Sequence, residues 1–499
     1  MSGRTDLTPL GFLDDNLERR ANAPALMSGD TAWTWRELEE EALRFAAALV
    51  RAGVGPGDRV AYASDEASEG FAMLFGIWRA GCVASPMNMR LPSNVLADIL
   101  ETLAPRALLA GQGTPDLAGH AAGLTVIGAQ DRPDAARGPL AAPAPDSTAM
   151  VFFTSGSTGR PKGVVSTHRA IALNALRTSE FLGIAPDDRI LINTPHYYTS
   201  AVCHLLTLAC RGGSLVSWRD FLFWEDFTRE VGRRGCTGFG GAPAHFVRLF
   251  SEPAARKALP LRFLVSSGDH LPQHLALEAL RACPGARIFR IYGLSEVAGR
   301  LCILDPALVE SRPDSVGRPL PGMSVAVLRE DGSRAEPGEI GEIHVQGDML
   351  ASEYLGSPAA TANLRKPLGF PTGDCGFLDA EGLLHLRGRK DDVFKSGGEK
   401  VSCLLIQQEL MRLGLFADAA VLPVEDELLG KVAKAFLVMA EGAVFNRMKV
   451  LRALSGRLPN SALPRHFVEL SAIPRTGSGK VERKALLAAA STAAQGRPA

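Results

Sequence analysis

The chain carries no net charge: its 499 residues hold 54 Lys plus Arg and 54 Asp plus Glu. The global electrostatic pull that nucleic-acid binders use is therefore missing. None of the eight cysteines (Cys82, Cys203, Cys210, Cys236, Cys283, Cys302, Cys375 and Cys403) forms a C-x-x-C pair. Their spacings match no zinc pattern, which leaves them as small buried apolar groups in a reducing compartment. No run of 18 apolar residues occurs, so no helix is expected to span a membrane. The acid-bearing start MSGRTDLTPLGFLDD lacks the apolar core of a secretory leader. The expectation is a cytoplasmic, soluble protein of roughly two to four domains, without nucleic acid or membrane insertion.

What is present is an alternation of helix and strand patterns. Residues 34–53 place Leu38, Ala42, Phe45 and Leu49 on one helical stripe that Gly53 closes. GPGDRVAYAS reads as turn and strand, FAMLFGIWRAG as a buried helix, and CVASPMN as the end of a strand. The alternation predicts α/β layers with parallel strands. Residues 111–145, rich in Ala, Gly, Pro and Asp, read as a surface excursion. A second α/β series follows from RILINTP to ARIFRIYG. From about Ser315 short strands separated by Gly and Asp turns predict a small β-rich subdomain. GRKDD (388–392) is the best domain boundary, which divides the chain into 1–389 and a smaller α+β domain over 390–499.

The least ordinary run is VFFTSGSTGRPKGVV (151–165), where a strand empties into glycines, hydroxyls and cations. Glycine lets backbone N–H groups converge, and Ser155, Ser157, Thr158 and Lys162 add donors and charge, a composition suited to phosphate. The Walker pattern is absent, because Lys162 precedes a glycine and no hydroxyl follows. The G-x-G-x-x-G fingerprint is absent too, and a nucleophile elbow would need Gly where Ser155 stands. Composition alone fits both a phosphate cradle and a plain surface loop.

Four further stretches stand out. IYGLSEV (291–297) sets Glu296 after a strand, where a carboxylate can hold Mg²⁺ beside phosphate or simply lie at the surface. In FPTGDCGFLD, Asp374 is expected in a tight turn between strands, free to accept from ribose hydroxyls or from its own backbone. LRGRKDDVFKSGGEKV gathers Arg389, Lys390 and Lys395 around Asp391 and Asp392, and IPRTGSGKVERKAL puts Lys480 after a Gly-Ser-Gly loop.

Taken together and in this order, TSGSTGRPKG, YGLSE, TGD, GRKDDVFKSGGEKV and PRTGSGKVERK resemble the acyl-adenylate-forming superfamily of acyl- and aryl-CoA ligases, peptide-synthetase adenylation domains and luciferases. The resemblance runs from about Leu10 to Ala485. It implies a large N-terminal domain of α/β layers with a β-rich subdomain, then a small mobile α+β domain hinged at Asp391. It also implies a two-step reaction: a carboxylate attacks the α-phosphate of ATP to give acyl-AMP and pyrophosphate, and the thiol of coenzyme A then displaces AMP. The loop Thr154–Gly163, with Ser155, Gly156, Ser157, Thr158, Gly159 and Lys162, would hold the β- and γ-phosphates. Glu296, beside Ser295, would hold Mg²⁺, and Lys480 would bridge the attacking carboxylate and the α-phosphate. Asp374 would take the ribose with Arg389 nearby, and Gly268, Asp269, Tyr292 and Gly293 would border the adenine. Rotation about Asp391 would withdraw Lys480 and bring Lys395, Gly397 and Gly398 to a pantetheine arm.

The resemblance places the acyl pocket in segments 195–204, 238–243, 266–270 and 297–299, with Tyr198, Phe239, Gly240, Val297 and Ala298 as its lining. Amino-acid-activating members carry an aspartate where Tyr198 stands, and an ammonium buried without an anion is costly. The expected substrate is therefore a fatty or aromatic acid without a free α-amino group. Departures are Cys403 for proline, Leu405 and Gln407 for acids, and Glu353-Tyr354 for a Gly-Tyr pair. Loading of a carrier-protein pantetheine, or a non-catalytic nucleotide-binding protein on the same fold, are the alternatives.

Overall fold

The computed structural model describes residues 7–114, 124–133, 142–154, 160–218, 223–250, 258–396, 399–426, 428–475 and 481–488. The helical stripe read from residues 34–53 forms the helix Trp35–Arg51. Thr34 accepts from the Glu37 N–H at its start while Glu37 accepts from the Thr34 N–H at 2.7 Å, a reciprocal capping box that satisfies two otherwise orphaned donors. The helix buries Leu38, Ala42, Phe45 and Leu49 and packs against the almost wholly buried helix Ala67–Arg79. Both contribute to one large core that draws side chains from two sheets.

In the first sheet six strands run parallel: Pro24–Ser28, Ser214–Ser217, Arg189–Ile192, Gly238–Gly241, Phe263–Ser267 and Arg287–Tyr292. The second sheet is parallel through Ala107–Ala110, Arg59–Ala63, Val83–Pro86 and Thr148–Thr154. The strand Thr125–Ile127, inside the expected surface excursion, pairs parallel with its edge. The β-rich region is continuous with the first sheet rather than set apart from it: Cys302–Ile303 pairs with Arg287–Tyr292 and then with Ser315–Pro319, which reaches Leu384–Arg389. A third sheet begins at Val393–Ser396 and packs two buried clusters of its own, one with Phe394, Ile406 and Leu410 and the other with Phe436.

The glycine-rich run sits between Thr148–Thr154 and Lys162–Thr167, which pair antiparallel with Thr154 opposite Lys162. The strands that flank it thus form a hairpin, whereas a Walker loop leads from a strand into a helix. Asp374 departs from expectation. It lies within the strand Phe370–Leu378, opposite Arg389, because Gly373 at φ +74° and the register shift at Cys375/Gly376 let this glycine-rich stretch stay in the ladder. Among the described residues no helix is long and apolar enough to cross a membrane.

Candidate active site

Parallel α/β sheets present ligands at the carboxyl ends of their strands, and Tyr292 and Gly268 lie at or just past two such ends. The strand Arg287–Tyr292 ends in Tyr292, whose hydroxyl donates to Asp374 Oδ2 at 2.6 Å. Arg389 Nη1 donates to the other oxygen, Oδ1, at 2.9 Å. Asp374 is buried, and its backbone N–H is held by Thr372 Oγ1. Burial, together with the adjoining carboxylate, holds the Tyr292 phenol well above its usual range, so it stays a donor. Burial works against the charge on Arg389, but the Asp374 carboxylate more than restores it. Each Asp374 oxygen keeps a second lone pair, so the cluster can still accept from a pair of hydroxyls.

Beyond Tyr292 the chain folds back on itself. Leu301 N–H returns to the Tyr292 carbonyl, and a Cβ at Gly293 would stand 1.8 Å from the Gly299 carbonyl oxygen, so only glycine fits. The short turn Ser295–Val297 is pinned from several sides. Thr199 and Ser295 share a hydroxyl contact of 3.3 Å, and the buried Asn174 donates to the carbonyls of Val297 (3.0 Å) and Arg300 (2.7 Å). Ala298 adopts φ +55° within this turn.

Glu296 is tied to the phosphate-loop hairpin through Tyr354. The strand Glu353–Tyr354 pairs with Lys162–Thr167, with Tyr354 opposite Val164. Its hydroxyl donates to Glu296 Oε1 at 2.8 Å, and Lys162 Nζ lies 6.0 Å from its ring centroid. Burial and the Glu296 carboxylate both hold the Tyr354 phenol protonated. Glu296 Oε2 has no partner among the described residues, where no three His, Cys, Asp or Glu side chains converge on a metal position. That donor set fits Mg²⁺, which takes one or two carboxylates and draws its other ligands from phosphate and water.

Gly268, at φ +98°, follows the strand Phe263–Ser267 next to Arg287–Tyr292, and nothing crowds its Cα. Asp269 beside it is exposed, and its Oδ1 accepts from the His270 N–H. Tyr198 caps the helix Thr199–Ala209, half-buried against Tyr197, with its phenol pushed up by burial. Phe239 is a correction. Side chains alternate along Gly238–Gly241, and this one points away from Gly240 into an aromatic core, with ring centroids 5.1 Å from Phe227 and 5.5 Å from Phe246. Gly240 faces His204 instead. Val297 is also fully buried, in the main core. Asp391 lies in the short turn Lys390–Asp392, and Lys395 is not brought to the cluster: its Nζ pairs with Glu330 at 3.3 Å. Ser155, Gly156, Ser157, Thr158, Gly159, Gly397, Gly398 and Lys480 lie outside the described residues. The residues that sequence reasoning missed are Tyr354, noted only as a departure, and the buried polar side chains Asn174, His204 and Arg300. A polar residue on an otherwise apolar helical stripe was the only local sign of Asn174 and His204.

The family model for AMP-binding enzymes matches residues 13–355, and that for the AMP-binding enzyme C-terminal domain matches 406–480. The chain belongs to the AMP-binding enzyme family. It is 29% identical to the long-chain-fatty-acid–CoA ligase FadD13 of Mycobacterium tuberculosis over 92% of this chain and 93% of that one. It is 31% identical to a feruloyl-CoA synthase of Amycolatopsis sp (92% and 94% covered), and 30% identical to a sulfoacetate–CoA ligase of Cupriavidus necator (93% and 94%). Among solved structures it resembles the o-succinylbenzoate CoA synthetase of Bacillus subtilis in complex with an acyl-adenylate intermediate, with TM-score 0.86, 26% identity, and 95% and 97% covered. The ATP-bound MatB of Rhodopseudomonas palustris gives 0.88, 26%, and 96% and 98%. These matches agree with the layered large domain and small α+β domain expected from the sequence.

Proposed function

We propose that this enzyme activates a carboxylic acid with ATP and passes the acyl group to the thiol of coenzyme A. The observation that carries the reading is the joining of three elements. Tyr354 ties Glu296 to the hairpin that bears Thr154 and Lys162, while Tyr292 and Arg389 hold Asp374 on the neighbouring strands. These contacts support reading the hairpin loop as a phosphate cradle, Glu296 as a metal-competent carboxylate and Asp374 as a hydroxyl acceptor. FadD13, the feruloyl-CoA synthase and the sulfoacetate–CoA ligase support the CoA acceptor, and the bacillary synthetase supports an acyl-adenylate intermediate.

In the first step a carboxylate oxygen bonds to the α-phosphorus as the bond to the pyrophosphate oxygen breaks. Two anions must meet, so the protein's work is positioning and charge neutralisation. We assign Asp374, with Arg389, to the ribose hydroxyls, and Gly268, Asp269, Tyr292 and Gly293 to the adenine side. We assign Thr154 and Lys162, with the glycine-rich segment between them, to the departing pyrophosphate. Glu296 would hold Mg²⁺, which when bound supplies countercharge to the phosphates. We assign Ser295, whose hydroxyl meets that of Thr199, a donor role toward the reacting phosphate. We assign Lys480 to the bridging role between carboxylate and α-phosphate. In the second step the thiol sulfur bonds to the acyl carbon, AMP leaves with the oxygen, and the thiol proton is released. We place the domain division at 389/390 and the pivot at Asp391, so that Lys395, Gly397 and Gly398 replace Lys480 at the site. Tyr198 in place of an aspartate favours an acid without a free α-amino group, fatty or aromatic.

The test separates the half-reactions. Lys480→Ala is expected to abolish pyrophosphate release from acid plus ATP yet still convert synthetic acyl-AMP plus coenzyme A to thioester. Equal loss of both halves would contradict the exchange of the two segments. Acyl-AMP formed without any CoA thioester, but with transfer to a carrier protein, would reassign the acceptor.

A further inference from the structure

Arg300 is 4% exposed, yet no carboxylate lies within ion-pair distance among the described residues. Its two polar contacts are neutral: Nη1 donates to Thr207 Oγ1 at 2.9 Å, and Nη2 meets His204 Nδ1 at 3.1 Å. A buried guanidinium without an anion is unusual, because desolvating the charge costs several kcal/mol unless a counter-ion offsets it. Arginine only donates, so His204 Nδ1 must accept, and the neutral ring carries its proton on Nε2. Burial and the neighbouring Arg300 both hold His204 in that neutral form.

The place of this pair in the fold gives it a use. His204 projects from the helix that Tyr198 begins. Its Cε1–Nε2 edge lies against Gly240, where a Cβ would come within 2.6 and 2.8 Å of those two atoms. Arg300 directly follows the turn that contains Val297, Ala298 and Gly299. His204 and Gly240, from two of the segments assigned to the acyl pocket, therefore pack together, Arg300 joins His204 from just beyond a third, and Nε2–H has no protein acceptor among the described residues.

We propose that the Arg300–His204 pair is the far end of the acyl pocket and that the acid activated here carries a second anionic group, a carboxylate or a sulfonate, which His204 Nε2–H binds and Arg300 neutralises. This deepens the acid-activation reading and rests on it. The pair would reject unsubstituted acids by leaving the buried charge uncompensated, an effect on the order of tenfold or more.

Pyrophosphate release is measured for matched acids: hexanoate against adipate, benzoate against terephthalate, acetate against sulfoacetate. The wild type is expected to favour the doubly anionic member of at least one pair by roughly tenfold in kcat/KM. The adipate and terephthalate arms report a carboxylate, and the sulfoacetate arm a sulfonate. Arg300→Met is expected to collapse that ratio without lowering the unfolding midpoint, because replacing a buried unpaired charge with an apolar side chain is neutral or stabilising. Gly240→Ala, which displaces His204 from the other side, should reduce the same ratio. Robust use of hexanoate, benzoate or acetate with no preference for its partner would overturn the proposal and leave acid activation intact. No pyrophosphate release with any acid would overturn both.

Discussion

Tyr354 is the structural link between the phosphate-loop hairpin and the metal-competent carboxylate, and Tyr354→Phe removes that link while keeping the ring. The lost interaction is a hydrogen bond from a neutral phenol to a charged acceptor at 2.8 Å. Such bonds contribute about 1.5–3 kcal/mol when shielded, and Glu296 is only partly buried, so about 1–2 kcal/mol is the working range. If Glu296 acts only when held in place, kcat/KM for ATP should fall roughly 5- to 30-fold. The Mg²⁺ concentration for half-maximal rate should rise in parallel. The ring still fills the space between Lys162 and Phe370, so the unfolding midpoint should change little. Initial rates of pyrophosphate release across a Mg²⁺ and ATP grid measure both effects, with Glu296→Gln as the more damaging comparator. A Tyr354→Phe enzyme within twofold of wild type at all Mg²⁺ concentrations would refute the positioning argument.

Other outcomes follow from the same geometry. Asp374→Asn leaves Arg389 without its carboxylate and Tyr292 with a weaker acceptor. AMP binding by titration calorimetry should weaken at least roughly tenfold, and unchanged affinity would remove Asp374 from the ribose site. Gly293→Ala would place a methyl group against the Gly299 carbonyl, so the turn carrying Glu296 must open. Loss of activity with retained secondary structure by circular dichroism is expected, and full activity would contradict the close approach. Asp188 is buried directly before the strand Arg189–Ile192. Burial raises its pKa, but bonds from Arg262, the Ala185 N–H (2.7 Å) and Thr237 (2.7 Å) outweigh that and hold it below the usual range. The stability it contributes is present above its unfolded pKa and is lost as pH falls through the lower folded value. Asp188→Asn should therefore lower the unfolding midpoint at pH 7 and flatten its decline below about pH 4. An unchanged acid limb would contradict this.

The layered architecture was legible because its signals are local. The stripe Leu38, Ala42, Phe45, Leu49 and the capping pair Thr34 and Glu37 both lie within one helix. The candidate site was readable only as motifs, and of these YGLSE begins at a strand end while TGD lies inside a strand. What escaped were relations between distant segments. Nothing near Asp374 in sequence says that it stays in a strand, because its partner Arg389 is set by a ladder with a register shift. Phe239 was expected in the pocket because the resemblance puts its segment there, whereas strand alternation turns it to the Phe227 side and leaves Gly240 to the His204 side. Tyr354 read as half of a departed Gly-Tyr pair, and its contact with Glu296 spans 58 positions. The Arg300–His204 contact spans 96.

The central claim is tested most directly by mass balance in one reaction. The purified chain is incubated with ATP, Mg²⁺, coenzyme A and a pool of carboxylic acids, and AMP, pyrophosphate and acyl thioester are quantified together by mass spectrometry. The account predicts equal amounts of the three products, with acyl-AMP replacing the thioester when coenzyme A is left out. ADP and phosphate as the products, or thioester formed without pyrophosphate, would contradict it.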